Sequence, residues 1–304
     1  MRFNQIRDFL AVVDGGSIRA AARRLSLSQP ALTKSLRQLE RELGVVLLSR
    51  GVRGARPTEF GNVFLAHARA VDADLRRARE ELERLKGTRE GGLSIGSAPG
   101  PALGLLPEAL ARLRARWPQA RLRVVDVTPS EVLPSLRDGS IELAVCARVE
   151  PVAGATAEFE AEPLYRNEAA IVARRGHPLA RARRMSDLAE AEWIRSGYPA
   201  DTSALPDRFR KAGLAPPRYR VECPSFLMVP EIVAQGDLLA VVPWQIAARE
   251  VRAGRLARIA IPNAIPARQI CLYRRIDVPP TPIARDCVEF LRQIARRRRG
   301  RAAR

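Results

Sequence analysis

Between Ser17 and Gly44 the chain is punctuated so closely that two short helices joined by a tight turn are the arrangement that fits. Ser17 stands as an N-cap, and Ile18, Ala21, Ala22 and Leu25 recur on one helical face. Ser26-Leu27 supplies a turn. Ser28 caps the next helix, with Pro30 in its first turn, where a missing N–H costs nothing. Leu32, Leu36, Leu39 and Leu43 form that helix's apolar stripe, and Gly44 ends it. The small side chains of Ala21-Ala22 let the two helices cross closely, as a helix-turn-helix requires. An earlier helix is marked by Phe3, Ile6, Phe9, Leu10 and Val13 and stopped by Gly15-Gly16. After Gly44 comes a short apolar run, Val45 to Leu48. Arg50, Arg53 and Arg56 then alternate with Gly51 and Gly54 up to Pro57, which reads as a β-hairpin wing with basic side chains.

Thr58 caps a long helix. Phe64, Ala68, Val71, Leu75, Ala78, Leu82 and Leu85 alternate spacings of four and three along it, a heptad seam that predicts a coiled-coil dimer contact. The competing reading is a stripe packed on the chain's own core. Gly87, Gly91 and Gly92 mark a hinge, beyond which strands and helices alternate as in an α/β region with length for two subdomains. Strands are expected at Leu93–Ser97, Leu122–Val127, Ile141–Cys146, Ala169–Ala173, Trp193–Arg195, Tyr219–Glu222 and Leu239–Val242. Helices are expected at Leu103–Trp117, Ser130–Arg137, Ser186–Ala191, Ala204–Ala212, Ser225–Gln235 and Ile283–Arg297. Trp117, Trp193 and Trp244 are expected in the core.

The charge has a matching bias. The 304 residues carry 52 Lys and Arg against 33 Asp and Glu, a formal net charge of +19. Much of the excess lies before residue 88 and in the terminal RRRRGRAAR, so a polyanion is the expected partner of the first segment. The tail reads as a solvated terminus, with non-specific help in holding nucleic acid as the alternative. No run of apolar residues is long enough for a membrane span. Arg2, Arg7, Asp8 and Asp14 interrupt the N-terminal apolar stretch, so a cytoplasmic protein is expected, associated with the nucleoid when bound to DNA. Cys146, Cys223, Cys271 and Cys287 are dispersed and only His67 and His177 are present. A disulfide scaffold, a metal site, a cofactor and catalytic residues are therefore not expected. No Gly-x-Ser-x-Gly elbow or Gly-rich phosphate loop supports an enzyme on the α/β region.

The second helix of the pair begins with residue types that read base edges. Gln29 can pair with adenine, Pro30 and Thr33 can meet a thymine methyl, and Lys34 or Arg37 can reach guanine or phosphate. Ser28 joins them at the helix start. Ser17 and Arg19 sit at the other helix N-terminus, a natural phosphate seat, and Arg50, Arg53 and Arg56 suit phosphate or minor-groove contact. In this setting Gly16-Ser17, Ala21-Ala22, Ser28-Gln29-Pro30-Ala31-Leu32, Leu39-Glu40, Leu43-Gly44, Leu47-Leu48 and Thr58-Glu59-Phe60-Gly61 resemble the winged helix-turn-helix of LysR-type transcriptional regulators, and the resemblance continues along essentially the whole chain. It implies a mixed α/β protein with a winged helix-turn-helix at 1–58, a linker dimerisation helix at 59–88 and a periplasmic-binding-protein-like effector domain at 89–304. Subdomain I of that domain is expected at about 89–162 and 268–304, subdomain II at about 163–267.

The resemblance also implies an effector held between the two subdomains. Ser97, Ala98 and Pro99 follow the first strand of the region, and Thr128 follows the second and opens a helix. Both stand at carboxyl ends of strands, where open α/β sheets bind ligands. Ser196, Gly197 and Tyr198, with Ser225 and Phe226, are candidates for the opposite wall. Hydroxyls and helix N-terminal amides there would hold an anion. The stretches EPLYRNEAAIVARRGHPLA and CPSFLMVPEIVAQGDLLAVVP are similar to a branch that includes the regulator of toluenesulfonate degradation, which favours an aromatic acid. The expected protein is thus a ligand-responsive regulator of double-stranded operator DNA, a homodimer through the linker helix and a homotetramer by resemblance, with RNA polymerase as a further contact. An architectural DNA-binding protein without an effector is the alternative.

Overall fold

The computed structural model describes residues 1–51, 54–85, 91–149, 158–197 and 204–302. The chain divides into two compact units, residues 1–92 with 133–142, and residues 93–132 with 143–304.

The first unit opens with α1 (Phe3–Gly15), α2 (Ile18–Leu25) and α3 (Gln29–Leu43). Their boundaries follow the caps. Ser17 Oγ accepts from Ala20 N at 3.1 Å and Ser28 Oγ from Ala31 N at 3.3 Å, while Gly16 and Gly44 close α1 and α3 in the left-handed region. Ala21, Ala22, Leu32, Leu36 and Leu39 are buried with Phe9 and Val12 in one core. Asp8 of α1 is buried too, and its carboxylate accepts from Ser35 Oγ at 2.6 Å, which fixes the rotation of α3 against α1. Ser35→Ala removes the donor to Asp8 Oδ2 and leaves the buried carboxylate, among the described residues, only Arg7 at 3.5 Å. It is expected to lower unfolding stability by about 1–3 kcal/mol, read from urea denaturation.

A hairpin of β1 (Leu48–Gly51) and β2 (Gly54–Pro57) follows. Its base is pinned from three sides. The Glu40 carboxylate accepts from Leu47 N at 2.9 Å and Leu48 N at 3.2 Å. Ala55 N donates to Gly16 O at 2.9 Å, and Thr58 Oγ1 donates to Val46 O at 2.7 Å. The long helix α4 (Glu59–Leu85) uses its stripe in two ways. Phe64 meets Phe9 edge-on, with ring centroids 5.2 Å apart, and Ala68 is buried in the same core. Farther along, Val71, Leu75 and Leu82 stay exposed, Leu75 at 37% and Leu82 at 58%. The side chain of Leu85 lies outside the described residues.

The second unit holds two five-stranded sheets. The first is ordered β4-β3-β5-β12-β6, from β3 (Gly92–Ser97), β4 (Arg121–Asp126), β5 (Leu143–Ala147), β6 (Phe159–Asn167) and β12 (Arg268–Arg275). The second is ordered β11-β7-β10-β8-β9, from β7 (Ala169–Arg174), β8 (Glu192–Ser196), β9 (Arg218–Cys223), β10 (Leu239–Pro243) and β11 (Leu256–Ile259). β6 stays in the first sheet through Asn167, so the passage between sheets falls at Glu168, later than the expected subdomain border. The helices of this unit are α5 (Pro99–Gly104), α6 (Leu106–Arg116), α8 (Ala204–Lys211), α9 (Val229–Ala234), α10 (Trp244–Arg252) and α11 (Pro282–Ala302), while α7 (Pro129–Arg137) starts in it and continues into residues 133–142, which belong to the first.

Several elements differ from expectation for local reasons. One helix was expected at 103–117. Pro107 has no N–H for the carbonyl four residues back, and the chain breaks between α5 and α6. The helix expected at 225–235 starts only at Val229, with Pro230 in its first turn, so Ser225 precedes a turn rather than opening a helix. In place of the helix expected at 186–191 there is a 3-10 turn, Met185–Leu188. β6, β11, β12 and α10 lie outside the elements that the sequence pattern predicts. Trp193 is fully buried, whereas Trp117 is half-buried and gives Nε1 to Asp286 at 2.8 Å, and Trp244 lies under the Arg258 guanidinium at 4.7 Å.

Candidate nucleic-acid interface and ligand cleft

On α3 the buried leucines at 32, 36 and 39 face the core, which turns Gln29, Pro30, Thr33, Lys34 and Arg37 outward along a single surface. They line a shallow groove completed by Arg41, Gly44, Val45 and Val46. Thr33 is half-exposed and the other four are exposed. Arg41 was not singled out from the sequence. It lies one turn beyond Arg37, whose carbonyl takes its Nε at 3.3 Å, and the i, i+4 spacing was the available signal. Ser17 and Ser28 are committed as caps, and Arg19 and Arg56 are exposed. The side chain of Arg50 and all of Arg53 lie outside the described residues.

The second unit contains a cavity of about 960 Å³ lined by residues from both sheets. Ala98, Pro99, Thr128, Ser196, Ser225 and Phe226 line it. Ser97 is fully buried, outside the lining, and gives its hydroxyl to Ala98 O at 3.0 Å. Gly197 is buried at the end of β8, and Tyr198 lies outside the described residues. Ser196 Oγ donates to Val241 O. Thr128 is engaged as well. The Glu131 carboxylate accepts from Thr128 N and from Thr128 Oγ1, each at 2.8 Å, so the start of α7 already faces a resident carboxylate. Ser225 is exposed.

Charged groups that the sequence did not single out also line this cavity. Arg195 stacks over the Tyr219 ring at 4.5 Å and stands 3.3 Å from Glu222. Burial raises the Tyr219 phenol above its ordinary range, and the Arg195 guanidinium partly offsets this. Glu231 and Glu250 are paired with Arg255, and Glu168 with Arg258. Among the described residues, the side chains of Arg249 and Asp126 have no ion-pair partner. Apolar area comes from Leu205, Phe226, Ile246 and Ile265.

A capped helix-turn-helix with a basic outer face, carried with a two-sheet unit enclosing a ligand-sized cavity, defines a DNA-binding regulator with an effector-binding domain. The family comparisons agree at both ends. Residues 3–62 match the bacterial regulatory helix-turn-helix protein, lysR family, and residues 86–296 match the LysR substrate binding domain. The chain belongs to the LysR family of transcriptional regulators. It is 32% identical to the SDS degradation transcriptional activation protein of a Pseudomonas strain, over 84% of each chain. The crystal structure of CbnR, a LysR family transcriptional regulator, is 25% identical with a TM-score of 0.71, covering 97% of this chain and 99% of that one. Full-length CbnR complexed with its target DNA is similar at 26% identity and a TM-score of 0.54, covering 97% of this chain and 100% of that one. Among the described residues, no helix is long and apolar enough to cross a membrane.

Proposed function

We propose that this regulator reads operator DNA with the outer face of α3, steadied by the hairpin, under the control of a small anionic effector in the cavity of the second unit. The observation that carries the DNA reading is the outward-facing set of exposed Gln29, Pro30, Lys34 and Arg37 with half-exposed Thr33, on a helix whose opposite face is locked in the core. Gln29 pairs with adenine, Thr33 meets a methyl group, and Lys34 and Arg37 take guanine or phosphate. Ser17, Arg19, Ser28, Arg50, Arg53 and Arg56 supply the backbone contacts that hold register. The exposed part of the α4 stripe at Val71, Leu75 and Leu82 pairs two chains, and the pairs join as a tetramer that presents recognition helices to successive major grooves.

The anionic effector is supported by Arg249, whose side chain has no ion-pair partner among the described residues, beside the apolar area of Leu205, Phe226, Ile246 and Ile265. Glu231, Glu250 and Glu168 in the lining are already paired with arginines. An acid with an apolar body, aromatic or aliphatic, satisfies both kinds of lining. The relative whose name ties it to SDS degradation points to the same amphiphilic chemistry. Binding moves the protein only as far as the effector prefers one opening of the cleft over another, and that opening sets how the paired DNA-reading units meet the operator and polymerase.

The test is gel retardation of genomic fragments at about 0.1 M salt, followed by footprinting of those retained. Specific retention is expected, and failure to retain any duplex overturns the reading. Gln29→Ala is expected to weaken the footprinted site by about 1–3 kcal/mol and to relax preference at one base pair. Unchanged affinity and preference would remove α3 from the groove.

A further inference from the structure

The cavity has one polar side chain whose commitments are unlike those of its neighbours. Thr128 and Ser196 spend their hydroxyls inside the protein. Asn167 lines the same cavity, is only 9% exposed, and is half-committed. Its Oδ1 accepts from Gln245 Nε2, while its Nδ2 makes no hydrogen bond among the described residues. Gln245 Oε1 is buried without a donor, so only the Asn167 end of the pair opens on the cavity.

The surroundings hold this amide in place. An ideal Cβ on Gly100 would lie 2.8 Å from Asn167 Nδ2, 3.5 Å from Pro243 Cβ and 3.6 Å from Gln245 Oε1. One turn later, a Cβ on Gly104 would lie 3.5 Å from Gln245 Cγ and 2.9 Å from Arg298 Nη1. α5 therefore offers a face without side chains, and the two amides rest on it. Arg298 Nη2 donates to the Gly104 carbonyl and ties α11 to the same spot. Asn167 ends β6 of the first sheet, and Gln245 lies in the first turn of α10, directly after β10 of the second.

We propose that Asn167 is the residue that reads the bound molecule: Nδ2 donates to an acceptor oxygen of the effector, and the Oδ1 bond to Gln245 passes that contact to the second sheet. The ligand class is one that carries a carboxylate, sulfonate or sulfate oxygen, and this rests on the effector reading above. A bond at Nδ2 polarises the amide and strengthens the acceptor at Oδ1, so ligand and clasp stabilise each other. By reciprocity, weakening the clasp weakens the ligand. Gly100 is part of the device, because any side chain there displaces the donor.

The experiment uses the full chain and three probes, sodium octanoate, octyl sulfate and 4-toluenesulfonate, titrated by calorimetry, with 1-octanol as the neutral control. Wild type is expected to bind at least one oxyanion better than octanol. Asn167→Asp keeps the acceptor for Gln245 but removes the donor, and is expected to lose about 10–100-fold in affinity. Gly100→Ala keeps every polar group and is expected to lose affinity in the same direction, which serves if the Asp variant does not fold. Without any probe, Gln245→Leu is expected to speed amide exchange in residues 99–104 and 244–252. Binding by both Asn167→Asp and Gly100→Ala within twofold of wild type overturns the proposal. So does unchanged exchange in Gln245→Leu, or a wild type that prefers none of the oxyanions to octanol. Gel retardation of wild type without probe separates the two readings: lost duplex binding sinks the regulator, and equal probe affinity of wild type and variants sinks Asn167 alone.

Discussion

Changing Leu75 and Leu82 together to Asp is expected to leave a folded chain that sediments as a monomer and holds operator DNA about 10²–10⁴-fold more weakly. The reason lies in how α4 divides its apolar stripe. Phe64 and Ala68 are spent on the core of the first unit, so the helix stays attached to its own chain after the change. Leu75 and Leu82 have no such cover. A carboxylate at each seam position sets like charges against each other wherever two copies meet, and a single helix-turn-helix then binds without the gain of a tethered second one. Sedimentation velocity checks the mass and gel retardation the affinity. Persistence of the dimer in the double variant would move the subunit contact off this helix.

The second large effect is expected from Lys34→Ala combined with Arg37→Ala. Both side chains are exposed on the α3 groove, one turn apart, and neither packs in the core, so stability should change little. Operator affinity is expected to fall by about 10²–10³-fold, since a good base contact is worth about 1–3 kcal/mol and each phosphate contact adds its own share. If both reach phosphate, the slope of log affinity against log salt flattens by about two and all sequences weaken alike. If Arg37 reaches guanine, the loss concentrates at one base pair. Titrations at several salt concentrations on operator and unrelated duplex tell the two apart.

The first unit was legible in the sequence because its signals are short-range. Ser17, Gly16, Ser28, Pro30 and Gly44 each act within one turn, and each does so in the structure. The second unit was harder. β6 reads FEAEPLYRN, with two acids and a proline, yet as an edge strand it tolerates them. Glu160 meets Arg274 and Glu162 meets Arg292, partners more than a hundred residues away. The hydroxyls at strand ends were visible as residue types. Glu131, three residues after Thr128, was a local sign that this hydroxyl is engaged, whereas the engagement of Ser196 depends on Val241, 45 residues farther along. Asn167 gave no local signal at all, because what distinguishes it is an amide 78 residues farther along.

The ladder between β6 and β12 begins with Asn167 opposite Arg268, and everything from 168 to 267 leaves and returns at that single rung. The second sheet is topologically an insert in a hairpin that is already in register. Replacing residues 168–267 with a two-residue Asn-Gly turn would close that hairpin and leave the first sheet with all its strands. Exchange of the whole insert with that of a relative, spliced at this rung, is accordingly the natural way to graft a new chemical sense onto an unchanged DNA reader.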